Sequence, residues 1–247
     1  MAVIAPERMS EQSERMFFTG MTLLSTAIIL WGFAPSFFLR GIAPPVVHSY
    51  LDPPAQPVRW LYITHGLVFT VWVTLCAAQV FLVATGRSAV HRRAGRVAFV
   101  LAPVMVILGL IVSGYATRHG FHDVVVPSAT ASIVPLSDIG LFAAFVAAAL
   151  LARRRPQTHK RWMLFAMIAI AEAGWARIAA VNPPSLPLWI STELILLLPI
   201  IAWDLWRSGR LHVATLWGSI AIAGVFSLRY WVGATPAWHA LMGGIFG

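Results

Sequence analysis

Cysteine is nearly absent. The one present, Cys76, sits inside an apolar run, which excludes an intrachain disulfide and a multi-cysteine metal site; it reads as an inert core thiol. Charge is scarce too. Asp, Glu, Lys and Arg make up 11% of the 247 residues, against about 25% in soluble domains. Acidic residues are the rarer sign, nine against eighteen basic ones. There is no Gly-rich phosphate loop, no His-Glu-x-x-His helix and no Gly-x-Ser-x-Gly elbow, which removes ATP-driven, zincin-type and serine-hydrolase readings. Residues 1–15 lack the basic, apolar and small-residue succession of a signal peptide, so the first apolar helix is expected to remain as an anchor.

Apolar residues are abundant, at 59% of the chain with a mean hydropathy of +0.77. Several apolar runs reach the length of about 20 residues that carries a helix across a ~30 Å hydrocarbon core. The expected fold class is therefore all-α, a polytopic transmembrane bundle of seven helices. The segments are 16–39, 60–84, 96–116, 136–152, 161–181, 187–206 and 211–232. Residues 16–235 form one transmembrane domain between a short tail at 1–15 and another at 236–247. Pro-rich stretches at 43–57 and 182–187 cannot continue a helix, while Pro35, Pro103 and Pro199 should kink the helices that hold them.

Net charge is +9, yet the arginines lie in short links between apolar runs and not in a phosphate-binding stripe, so no nucleic-acid partner is expected. Thirteen Lys and Arg residues fall on the side of the N-terminus, including Arg87, Arg92, Arg93, Arg96 and the run 153–161; five fall on the other. By the positive-inside rule the N-terminus is expected to be cytoplasmic and the C-terminus outside, with the lipid bilayer as the expected partner.

Two basic links resemble each other, "GRSAVHRRAGR" at 86–96 and "RRRPQTHKRW" at 153–162. Their arginines suit phosphate headgroups and Trp162 suits the interfacial belt. His91 and His159 either share that solvated layer or converge on an anionic group or the iron of haem b, a cofactor that needs both ligands at one depth.

A polar set gathers in the outer half. His65 lies early in the second helix, Asp138 opens the fourth, Glu172 lies near the midplane of the fifth and Glu193 is in the sixth, with His119 and His122 in a link. Ionisable groups in spans usually face a bundle interior. Imidazole with carboxylate is a ligand set for zinc or iron, and His119 and His122 share a face if helical. Glu172 is then a proton-relaying group, with Arg177 as its counter-charge or as an anchor for an anionic substrate. Structural counterparts stand beside each reading: a Glu172–Arg177 or Glu193–Arg177 ion pair, an N-cap at Asp138 and an Asp204–Arg207 pair at i,i+3. Trp72, Trp175, Trp203 and Trp217 either pack the bundle or line a pocket for a lipophilic small molecule. Three functions follow: a metal- or haem-dependent redox enzyme, a small proton-coupled transporter, or an accessory subunit. Oligomeric state is left open.

His65, Gln79, His91, Arg92, Gly95, Arg96, His159, Arg161, Trp162, Met163 and Arg177 make a pattern: a helix with early His and later Gln, an HR-x-x-G-R turn, then H-x-R-W-M. In this the chain resembles a family of bacterial predicted membrane proteins of unknown function. The likeness covers the second to fifth helices and implies a place in the bacterial inner membrane, with no catalytic role attached.

Overall fold

A computed structural model describes residues 11–42, 58–120, 126–178 and 192–246. Every regular element among them is helical. Among the described residues, five helical segments are long and apolar enough to cross a membrane: Glu11–Phe38, Arg59–Ala84, Ser88–His119, Ser128–Leu151 and Val213–Gly233. The outer surface of the bundle is apolar, with Val100, Ile107, Leu151 and Leu198 exposed, as a surface facing lipid tails requires.

Helix α1 (Glu11–Phe33) opens with Glu11 and Glu14 in its first turn, where carboxylates complement the helix dipole. Pro35 has no N–H to give, and the chain widens over Ala34–Phe38 so that the Leu39 amide reaches back to the Ala34 carbonyl at 2.7 Å. Helix α2 (Arg59–Ala84) returns, and just past its end Gly86, with a φ of 77°, makes the reversal. Helix α3 (Ser88–Ala94) runs through a tight turn, Gly95–Val97, into α4 (Ala98–His119). The stretch read as a basic link is thus mostly the first turns of a spanning helix, and only Thr85–Arg87 reverses the chain.

A short α5 (Ser128–Ala131) precedes α6 (Ile133–Leu151), and α7 (Pro156–Trp175) follows a three-arginine turn, with Pro156 in its first turn. Next come α8 (Leu197–Ser208), entered by a turn at Thr192–Leu196, and α9 (Val213–Gly233). Residues Pro236–Phe246, expected as a tail, form α10. It folds back on α5, where the Trp238 indole N–H donates to the Ala129 carbonyl at 2.7 Å and His239 Nε2 bonds Thr130 Oγ1 at 2.9 Å.

Helix α7 is the axis of the bundle. Leu164 to Ala171 is buried without a break, enclosed chiefly by α1, α6 and α9. A helix that is apolar all round belongs inside. Its crossing with α1 runs through two glycines: a Cβ on Gly32 would lie 2.1 Å from the Gly174 carbonyl oxygen, and one on Gly174 would lie 2.7 Å from that of Ile28. Small residues let two membrane helices approach backbone to backbone.

Call the end of the bundle holding Arg87–Arg96 and Arg153–Arg161 the basic end. The other is the far end, where α6 begins and α7 and α9 finish.

Candidate functional site

About one turn inside the far end, three helices contribute one charged group each. Arg229 of α9 donates from Nη2 to Glu172 Oε1 of α7 at 2.8 Å and from Nη1 to Asp138 Oδ1 of α6 at 3.1 Å. All three residues are buried, at 4%, 5% and 8% exposure. The guanidinium also lies over the Phe226 ring, 4.4 Å from its centroid. Two expectations change here. Asp138 sits in the second turn of α6, which starts at Ile133, and so is no N-cap. Glu172 takes its counter-charge from Arg229 and forms no ion pair with Arg177. Arg177 is exposed; its guanidinium donates to the Ala173 carbonyl and covers the Phe33 ring at 4.3 Å.

Sequence reasoning missed Arg229 because it counted this residue only toward the charge of the outer side, although 229 lies inside the seventh apolar segment, 211–232. One available signal was its setting: an arginine inside "VFSLRYWVG" lies within the apolar run, at the depth of Asp138 and Glu172.

The basic end has its own buried ion pair. Arg161 of α7 grips Asp204 of α8, Nη2 to Oδ1 at 2.5 Å and Nε to Oδ2 at 3.4 Å. The same guanidinium donates to Thr215 Oγ1 of α9 at 3.2 Å and to Gln157 Oε1 at 3.0 Å. Asp204 therefore pairs across helices, not with Arg207 at i,i+3; Arg207 and Lys160 both pair with Glu14 of α1. Buried charges outbid nearby exposed ones because they have no water to fall back on.

His212 joins this hub from the α8–α9 link. Its amide donates to Asp204 Oδ2 at 3.0 Å, and its ring Nδ1 accepts from the Ala214 amide at 3.0 Å, capping α9. Burial, then the Arg161 guanidinium, hold its pKa below the usual 6.5, against the opposing pull of Asp204. A folded-state pKa that is depressed makes stability complete above about 6.5 and lost as pH falls through the lowered value. Protonation also abolishes the ring acceptor that caps α9. A thermal melt should accordingly lose stability on acidification below about 6.5, and His212→Asn, an uncharged cap, should flatten that dependence. An unchanged pH profile in the variant removes His212 from the account.

His91 of α3 and His159 of α7 do converge, with ring centroids 6.4 Å apart and planes at 81°. His159 Nδ1 faces the Ala149 carbonyl at 2.8 Å, so that nitrogen carries the proton and Nε2 keeps a lone pair. Gln79 sets the other ring. Oriented to satisfy its neighbours, its amide oxygen accepts from the Gly95 N–H at 2.9 Å, while its NH₂ donates to the His91 carbonyl at 3.1 Å and to His91 Nδ1. Neutral His91 then bears its proton on Nε2. Four positions of the sequence pattern, Gln79, His91, Gly95 and His159, thus meet in one place.

The other expected ligands are dispersed. His65 packs on Phe69, centroids 4.1 Å apart, and its Nδ1 is buried with no hydrogen-bond partner among the described residues. His119 is exposed, stacked on Tyr115 at 4.0 Å and bonded through Nδ1 to the Tyr115 carbonyl at 3.0 Å. His122 and the side chain of Glu193 lie outside the described residues, so the His119–His122 and Glu193–Arg177 pairings do too. Among the described residues, no three His, Cys, Asp or Glu side chains gather at metal-binding distance. Of the tryptophans, Trp72 is fully buried against Phe142 and Trp203 stacks on Phe17. Trp217, expected inside, is 58% exposed.

The fold and its charge clusters define an all-helical protein of membrane type, with ion pairs buried at both ends of a bundle built around α7. No family model matches the chain, and neither a curated protein nor a solved structure matches it.

Proposed function

We propose that this chain is a seven-span protein of the bacterial inner membrane, N-terminus cytoplasmic and C-terminus outside, that works as a small proton-coupled carrier. The spans are α1, α2, α3–α4, α5–α6, α7, α8 together with the turn Thr192–Leu196 that enters it, and α9. The basic end is the cytoplasmic end, as thirteen Lys and Arg residues against five argue.

One observation supports the proton coupling: a single buried guanidinium is held by two carboxylates from two different helices. Stripping the partner from a buried charge costs about 3–5 kcal/mol. At Arg229 that penalty is avoided, because protonating either carboxylate leaves the other in place. The proton then loosens α9 from α6 or from α7 without exposing an unpaired arginine. Among the described residues Arg161 has only Asp204 as a carboxylate partner, so the basic-end pair acts as a fixed pin. A metal or haem centre in the outer half draws less support, since Asp138 and Glu172 are both engaged by Arg229.

Infrared titration of the purified protein tests this. A carboxylic-acid carbonyl band should grow as pH falls while the protein stays folded, and the Asp138→Asn/Glu172→Gln double variant should lack the component that the cluster contributes while the other seven of its nine acidic residues keep theirs. If the wild-type and double-variant bands grow equally, the cluster exchanges no proton and the reading fails.

A further inference from the structure

The paired histidines at the basic end are held in opposite tautomers. The Ala149 carbonyl can only accept, so His159 Nδ1 must donate and His159 Nε2 is left as an acceptor. The Gly95 N–H can only donate, so it fixes the Gln79 oxygen, turns the Gln79 NH₂ toward His91 Nδ1 and leaves His91 Nε2–H as a donor. Both rings are half-buried and 6.4 Å apart. One Nε2 gives a proton and the other takes one.

This arrangement suits a metal ion poorly. Ligation through both Nε2 atoms would need His91 to move its proton to Nδ1, against the Gln79 NH₂ and the Gly95 amide that orients it. The surrounding charge opposes a cation as well. Arg87, Arg92, Arg93 and Arg96 on one hairpin and Arg153, Arg154 and Arg155 on the other are exposed and make no ion pair among the described residues. Among the described residues, the carboxylates of this end are spent elsewhere: Glu11 on Arg15, Glu14 on Lys160 and Arg207, Asp204 on Arg161. Seven unmatched guanidinium groups around a neutral donor–acceptor pair create a field for an anion.

We infer that His91 and His159 form a binding site for a protic oxyanion, a phosphate group that still carries a P–OH. A phosphate oxygen accepts from His91 Nε2–H, the P–OH donates to His159 Nε2, and the arginines supply the attraction. An aprotic oxyanion such as sulfate satisfies the first contact but sets an oxygen lone pair against the lone pair of His159. The site therefore separates phosphate from sulfate by hydrogen-bond polarity, not by charge. It does not rest on proton exchange at the far end, which uses none of these residues.

Calorimetric titration of the purified, detergent-solubilised protein with inorganic phosphate and with sulfate, just above neutral pH, is the test. Phosphate should bind about ten-fold tighter than sulfate, the equivalent of about 1.4 kcal/mol. His159→Phe should bring the two affinities together while leaving the thermal melt in place. Equal affinity in the wild-type protein overturns the inference without any variant, as does failure of phosphate to bind. Nanodiscs containing phosphatidic acid separate the two sources of such a group. Loss of phosphate binding there assigns the site to a lipid headgroup, and undiminished binding assigns it to the free anion.

Discussion

Arg229→Met is expected to lower thermal stability more than any other single charge removal at the far end. The substitution keeps the length and apolar character of the side chain but leaves Asp138 and Glu172 buried with no guanidinium between them. Breaking a buried pair from one side costs about 3–5 kcal/mol, and here two carboxylates lose the same partner. Asp138→Asn or Glu172→Gln should each do less damage, because Arg229 keeps one carboxylate in either case. The decisive comparison is the triple variant Arg229→Met/Asp138→Asn/Glu172→Gln, which removes every charge of the cluster and should regain most of the lost stability. A melt of Arg229→Met equal to wild type would mean that the cluster holds nothing together.

Gly174→Ala is the second large effect, and it acts through shape alone. The added Cβ would stand 2.7 Å from both the Ile28 carbonyl oxygen and the Ile29 Cα, which are backbone atoms with no rotamer to yield. Overpacking of a tight core costs about 1–3 kcal/mol and occasionally more. At this crossing the whole of α1 must move away from α7, taking Phe17, Phe18 and the Glu14 ion pairs with it. Gly140→Ala, where the new methyl meets nothing within 4 Å, is the control and should melt like wild type. If both variants melt alike, the α1–α7 approach is looser than the structure indicates.

Much of the fold can be read from composition and apolar run length. The boundaries cannot, and they fail in one direction. Ser88–Arg96 and Pro156–Lys160 read as links because they are charged, yet they are helical: a helix entering the headgroup layer keeps its hydrogen bonds while its side chains turn polar. The convergence of His91 with His159 was legible as an option, since both stand at the same end of neighbouring hairpins. Their tautomers were not, because Gln79 and the Ala149 carbonyl come from other helices.

Pairing of charges is where sequence distance misled most. Proximity along the chain suggested Glu172 with Arg177 and Asp204 with Arg207. The structure joins Glu172 to Arg229, 57 residues away, and Asp204 to Arg161, 43 residues away. Arg177 and Arg207 lie near the ends of their helices, where water and headgroups can solvate them, whereas Arg161 and Arg229 have no such recourse.

By itself the sequence determined that this is an all-helical chain for a bilayer, and that its few ionisable residues must be accommodated inside it. Scarcity of charge and the length of the apolar runs suffice for that, because the hydrocarbon core acts on every residue alike. Only the tertiary structure decided which charge answers which, that α7 lies at the centre, and that two imidazoles held in opposite tautomers lie 6.4 Å apart. Those outcomes depend on how helices are placed around one another, and that placement is set by contacts such as Gly32 on Gly174 that no local pattern announces.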